Sequence, residues 1–206
     1  MNAQRSPGWF TERLGKVTAS RMADVCAKTK TGYGASRDTY MAQLLVERLT
    51  GQPMDTYQNA AMLYGIEHEA DARAAYEFYT GKTVGPCGFV SHPTIEMSGA
   101  SPDGLVNRAG LIEIKVPNTS THLDTLLTSV IPLKYIHQMH WQMACTGRKW
   151  CDFVSFDPRL PPHLQLFVQR IKCDKHTVGF LESEAAKFLA ELDVKIETLN
   201  QLRRAA

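Results

Sequence analysis

Two short segments hold the residues best placed to do chemistry: Ser101-Pro102-Asp103-Gly104 and Leu111-Ile112-Glu113-Ile114-Lys115-Val116. In an extended strand the side chains alternate, so Ile112, Ile114 and Val116 point one way and Leu111, Glu113 and Lys115 the other. A carboxylate and an ammonium in an otherwise apolar strand need a reason, because burying charge is costly unless it is paired or metal-bound. A salt bridge at a sheet edge is one reason; catalysis is the other. If the strands 97–106 and 111–116 form a hairpin, the Asp103 and Glu113 carboxylates converge. Converging carboxylates repel unless a cation lies between them. Oxygen-only donors select a hard ion, so Mg²⁺ is expected, with Mn²⁺ able to substitute. Glu69 offers a third carboxylate on an upstream helix, where a solvated glutamate in the Glu67-His68-Glu69 patch is the plainer reading. Two cations, three carboxylates and a lysine would suit phosphodiester hydrolysis. Metal ions polarise the phosphoryl oxygen and activate water, and Lys115 could orient or deprotonate that water or offset charge on phosphorus. Positive neighbours would lower the pKa of Lys115, and Glu113 would oppose them.

The elements that must position these groups are legible in outline. Residues 18–27 and 37–50 read as short helices, with a basic loop from Thr29 to Gly34 between them. Asn59 is a good N-cap for a helix running to Thr80 and stopping at Gly81. Residues 87–91, 97–106 and 111–116 read as strands, then 134–146 as a helix ending at Gly147. Strands near 150–156 and 163–171 follow, and an amphipathic helix over 178–203 closes the chain. The order αβββαβ, with extra helices at both ends, predicts one α/β domain over residues 1–206 with a mixed central sheet flanked by helices.

Composition sets the outer limits. A chain of 206 residues with 44% hydrophobic and 21% charged residues suits a globular domain and argues against disorder. The polar stretch Met1 to Pro7 has no signal-peptide core, and no apolar run approaches bilayer length, so a cytoplasmic protein with no membrane partner is expected. Five scattered cysteines without a Cys-x-x-Cys pair suit reduced thiols. The net charge of +2 does not itself point to nucleic acid. Its distribution says more: residues 1–50 carry +4 and the remainder −2.

Asp103 followed by Glu113-Ile114-Lys115 fits the Pro-Asp…(Asp/Glu)-x-Lys pattern of a large nuclease superfamily, with a restriction-endonuclease-like core. Further segments lie in order over residues 9–159: Trp9 with Arg13-Leu14-Gly15, Thr18-Ala19-Ser20, Glu69-x-Asp71-Ala72-Arg73, Phe78 and Gly81, Glu113-Ile114-Lys115-x-Pro117, Tyr135-x-x-Gln138 and Phe156-Asp157-Pro158-Arg159. Together they resemble the bacteriophage lambda exonuclease type of alkaline, recombination-linked exonucleases, the YqaJ-like viral recombinase family.

The resemblance implies roles. Asp103 and Glu113 would ligate metal with the Ile114 carbonyl, Lys115 would serve the water nucleophile, and Glu69 would hold water near a second ion. Arg13, Ser20, Ser101 and Gln138 would hold a terminal 5′-phosphate. Guanidinium forks and neutral donors suit such an anion. Met62 would be a wedge at the terminal base pair, where a core methionine is the plainer reading. Lys28, Lys30 and Arg37 would track the backbone of the duplex. The activity implied is Mg²⁺-dependent 5′-to-3′ digestion of one strand of linear double-stranded DNA to mononucleotides. A 3′ single-stranded tail would pass to a single-strand annealing protein. A ring-shaped homotrimer and a phage or prophage origin in a bacterial host are implied likewise. Two other readings stay open: a structure-selective or site-specific endonuclease on the same fold, and an inactive DNA-binding recombination accessory.

Overall fold

The computed structural model describes residues 2–54 and 60–202. Asn59, the expected cap, lies outside them. The chain begins with helix α1 (Pro7–Arg13), where the Ser6 hydroxyl accepts from the Trp9 N–H and Pro7 supplies a preset φ at the first turn. No helix spans 18–27 as expected. Val17 and Thr18 form strand β1, a 3-10 turn covers Ala19–Arg21, and only Met22–Val25 (α2) is α-helical. The cause is tertiary: β1 is claimed by parallel pairing, Val17 with Ser98 and Thr18 with Gly99. The basic loop folds as a small hairpin of β2 (Lys28–Thr29) and β3 (Gly32–Tyr33), leading into α3 (Ala35–Thr50).

The expected helix to Thr80 is two helices, α4 (Ala60–Glu67) and α5 (Glu69–Thr80). The break falls at His68, whose ring packs tilted against Tyr64 and whose Nδ1 bonds the Asp71 carboxylate at 2.9 Å. Glu69 thereby becomes the first residue of α5, where the helix dipole favours a carboxylate.

The strand expected over 87–91 is only β5 (Val90–Ser91), and β4 (Val84–Gly85) precedes it outside the expected range. The run 97–106 also splits, into β6 (Ser98–Ala100) and β7 (Gly104–Val106). Pro102 has no N–H to continue a ladder, and there the chain passes from one sheet to another. Strand β8 (Gly110–Lys115) follows, then α6 (Thr119–Thr128), α7 (Leu133–Thr146), β9 (Trp150–Phe156), β10 (Leu166–Lys172) and α8 (Lys175–Leu202). Helix α6 was not expected; the Asn118 side chain caps it by accepting from the Thr121 N–H.

The main sheet is mixed, in the order β10-β9-β8-β7-β4, with only β8 and β9 parallel. A smaller sheet runs β1-β6-β5. Strand β8 is central and buried on both faces. Ile112 and Ile114 pack with Ala72 and Tyr76 of α5, while Leu111 packs with Met139 and Met143 of α7. A third cluster joins α2, α3, α7 and α8 over the smaller sheet, with Trp141 and Phe188 fully buried. This is the α/β fold expected, with its helices on both faces of a mixed sheet.

Candidate active site

Strand β8 alternates as its sequence dictates, and Glu113 enters the α7 side fully buried. Both of its oxygens are occupied. Oε1 accepts from Gln138 Nε2 at 2.7 Å and lies 2.5 Å from Lys115 Nζ, and Oε2 accepts from Gln142 Nε2 at 2.6 Å. Gly104 pairs with Ile112, and this register carried on by one residue sets Asp103 opposite Glu113. Asp103 Oδ2 accepts the Ile114 N–H at 2.7 Å, so a side chain takes over at the point where the β7–β8 ladder stops. Asp103 is only partly buried and opens onto a cleft.

The electrostatics are those of a crowded acidic site. Loss of solvent, and then the neighbouring Glu113 carboxylate, raise the pKa of Asp103 well above the ordinary carboxylate range; Lys115 pulls the other way. Burial lowers the pKa of Lys115, but the Glu113 and Asp103 carboxylates overcome this and raise it above the usual lysine value. Of the two opposing influences expected on Lys115, that of the carboxylates prevails, because the nearest charges are negative.

Glu69 approaches from α5. Its Oε2 accepts from Arg5 Nη2 at 2.9 Å, and Arg73 stands 3.6 Å from its other oxygen. Arg73 also donates to the Asp103 main-chain carbonyl at 2.6 Å. The N-terminal segment is sewn to the same place: the Gln4 amide donates to the Pro102 carbonyl at 2.7 Å and the Cys87 carbonyl at 3.1 Å. Arg5 holds a left-handed backbone, φ 65°, that a non-glycine residue rarely adopts.

On the other side of Asp103, the Ser101 hydroxyl accepts from Trp9 Nε1 at 2.9 Å and from Arg13 Nη1 at 3.1 Å. The Arg13 guanidinium lies over the Trp9 ring, 4.2 Å from its centre. Burial lowers the pKa of Arg13, with Tyr40 and Glu47 opposing. A partly desolvated guanidinium beside hydroxyls is a suitable anion site.

These groups share one cleft of about 470 Å³. Its walls include Glu69, Asp103, Glu113, Ile114 and Lys115, and also Arg13, Ser20, Ser101, Gln138 and Met62. Met62 is 51% exposed at this wall, which removes the core reading. Gln138 lines the cleft, but its amide is engaged with Glu113. The three basic residues expected to meet a duplex differ in their surroundings. Lys30 is exposed; Lys28 lies 3.5 Å from Glu184; Arg37 is buried and forks onto Glu191 at 2.7 and 2.9 Å, 3.7 Å over the Tyr33 ring. Arg37 therefore ties α3 to α8 rather than facing solvent, a correction to its expected role. Arg5, Arg73 and Gln142 were not singled out from the sequence. The signals were thin: a lone basic residue, a helical i,i+4 partner of Glu69, and a second glutamine one turn after Gln138.

Among the described residues, no group of three or more His, Cys, Asp or Glu side chains stands ready to hold a metal. The candidate site instead offers two carboxylates, Asp103 and Glu113, with the Ile114 carbonyl beside them. Mg²⁺ commonly takes one or two carboxylates and keeps several waters. The like-charged pair, with Asp103 held above its ordinary pKa, is the arrangement a cation would relieve. On this chemistry the residues fit a hard divalent ion, with Glu69 near enough to act on Asp103 through its charge.

Comparison with known proteins bears on the whole chain. A family model described as the YqaJ-like viral recombinase domain matches residues 8–149. The crystal structure of an alkaline exonuclease from Laribacter hongkongensis is 52% identical, with a TM-score of 0.91, over 97% of this chain and 99% of that one. The same exonuclease in complex with dAMP matches at 51% identity and TM-score 0.92, over 98% and 100% of the two chains. A phage-related exonuclease from Haemophilus somnus 129PT shares the fold at 17% identity and TM-score 0.69, over 88% of this chain and 96% of that one. An uncharacterized protein, R354, of Acanthamoeba polyphaga mimivirus is 24% identical over 168 residues, 74% of this chain but 29% of its own length.

Proposed function

Because the chain belongs to the YqaJ-like viral recombinase domain family, we propose that it is a divalent-metal-dependent exonuclease that digests one strand of linear double-stranded DNA from the 5′ end. One observation carries the reading: a single cleft joins an acidic cluster with a lysine to an arginine–serine anion site two residues away in the chain. The 52% identity to an alkaline exonuclease along nearly the full length supports it.

Arg13, with the Ser20 and Ser101 hydroxyls, would receive the terminal phosphate. The stacked Trp9 and its bond to Ser101 hold the guanidinium and hydroxyl in place beforehand, which lowers the ordering cost of binding. The next phosphodiester would then lie over Asp103 and Glu113. Those two residues, the Ile114 carbonyl and Glu69 would hold Mg²⁺ or Mn²⁺, in one or two sites. When bound, such ions supply Lewis acidity toward the phosphoryl oxygen and acidify water. Lys115 would orient or deprotonate the attacking water, or offset charge developing on phosphorus. Met62, exposed at the wall, would press on the terminal base pair. The ring-shaped trimer and the hand-over of a 3′ tail to an annealing protein in recombination belong to this proposal. Sedimentation of the chain tests the former.

The deciding experiment is digestion of end-labelled duplexes with and without Mg²⁺. Linear DNA with a 5′-phosphate should yield 5′-mononucleotides, a 5′-hydroxyl end should react more slowly, and closed circles should survive. Cut circles would make it an endonuclease, and binding without cleavage would make it an accessory.

A further inference from the structure

We infer that Gln142 is a positioning residue: its amide fixes the Glu113 carboxylate in the orientation that receives a divalent cation. The inference rests on the metal-dependent reading above and adds to it a residue outside the cleft wall.

Gln142 is fully buried on the face of α7 that packs against β8 and β9. The apolar cluster that joins α7 to these strands holds Leu111, Met139, Met143, Cys151 and Phe153. A primary amide in such surroundings is costly unless its hydrogen bonds are made, and a leucine or methionine would fill the space without that cost. Gln142 makes them. Nε2 donates to Glu113 Oε2 at 2.6 Å, and the Cys151 thiol, 4.0 Å away, donates to Oε1. A carboxylate can only accept, so the N–H end of the amide faces Glu113. Gln138, one helical turn earlier, donates to the other oxygen at 2.7 Å. Residues i and i+4 of a helix share a face, so two amides one turn apart can grip the two oxygens of one carboxylate.

The chemistry of the clamp matters. Arginine or lysine in place of Gln142 would also satisfy Glu113, but would cancel the charge needed to attract a cation. A neutral amide fixes the carboxylate plane and leaves its negative charge intact. Lys115, the cation already present, lies against the oxygen shared with Gln138. Groups that orient metal ligands in this way typically change metal affinity 10- to 100-fold when removed.

The test uses Gln142→Met, which keeps the volume and removes the donor. Mn²⁺ binding to DNA-free protein is measured by calorimetry, beside the Mg²⁺ dependence of cleavage. We expect Mn²⁺ affinity to fall about 10- to 100-fold, the half-saturating Mg²⁺ to rise by the same factor, and KM for DNA to stay unchanged. Should this variant fail to fold, Gln142→Asn keeps the amide but draws it back by one methylene, and the same loss is expected. A folded variant with wild-type Mn²⁺ affinity and Mg²⁺ dependence overturns the clamp alone. Wild-type protein that neither binds Mn²⁺ nor cleaves DNA overturns the proposed function with it.

Discussion

Replacing Asp103 with asparagine should make the metal-free protein more stable while removing its activity. The side-chain carbonyl of the substituted amide can still accept the Ile114 N–H that Asp103 now takes at 2.7 Å, so the turn into β7 is kept. What is lost is the charge crowded by Glu113. A folded-state pKa raised above the unfolded one costs stability once the group is ionised. For a domain of this size about 1 kcal/mol shifts Tm by roughly 2–4 °C. Asp103→Asn is therefore expected to melt above wild type in chelator near pH 8. The sign follows from linkage. A carboxyl whose folded pKa is raised contributes stability below its unfolded pKa of about 4 and loses it as pH rises through the folded value. The gap between variant and wild type should thus be absent near pH 4, open as pH rises, and then level off. Added Mg²⁺ should raise the Tm of wild type more than that of the variant. Cleavage should fall about 10³-fold, since the several kcal/mol attributed to a polarising metal ion correspond to that factor. Thermal melts across pH, with and without chelator, give the answer. A variant less stable than wild type in chelator, or a gap indifferent to pH, would refute the view of Asp103 and Glu113 as a repelling pair held for a cation.

Two further outcomes are expected. Arg13→Ala should reduce the preference for 5′-phosphorylated over 5′-hydroxyl ends by about 10- to 100-fold, the worth of a charged hydrogen bond; an unchanged ratio in competition digests would leave Arg13 only the task of seating Trp9 and Ser101. His122 is fully buried, with Nδ1 2.7 Å from the Ser155 hydroxyl and Nε2 2.8 Å from the Leu164 carbonyl. His122→Ala strands both partners and leaves a cavity, and should cost about 4 kcal/mol in urea unfolding; a loss below about 1 kcal/mol would mean that water restores the bonds.

The legible parts of this molecule were those governed by short-range periodicity. Alternation along 111–116 set Ile112 and Ile114 against Glu113 and Lys115, and the strand obeys it. Gly81 and Gly147 marked two helix ends, and both adopt the left-handed conformation that glycine tolerates. Less legible were features decided at a distance. Thr18-Ala19-Ser20 looks helical until β6 takes Val17 and Thr18 as sheet partners. Helix α6 is dense in threonine and serine, poor helix formers, and depends on its cap at Asn118. Arg37 counted as a free positive charge until α8 brought Glu191 to it from 154 residues away. Arg5 reaches Glu69 across 64 residues, a pairing that no local pattern announces. Pro102 did carry a warning against one continuous strand, and that break puts Ser101 just past the end of β6 and Asp103 just before β7, in two different sheets.

The tripeptide at that break works as a caliper. Ser101 belongs to the end of the small sheet and Asp103 to the start of the large one, and each jaw is braced separately: Trp9 and Arg13 grip Ser101, while Arg73, Gln4 and the Ile114 amide grip Asp103 and Pro102. Two residues of extended chain span at most about 7 Å, and proline stiffens the gap. On the proposed function, a 5′ terminus seated at one jaw and the severed bond at the other would set the bite at a single nucleotide by covalent geometry, whatever the base. Successive bites would then differ in sequence but not in length.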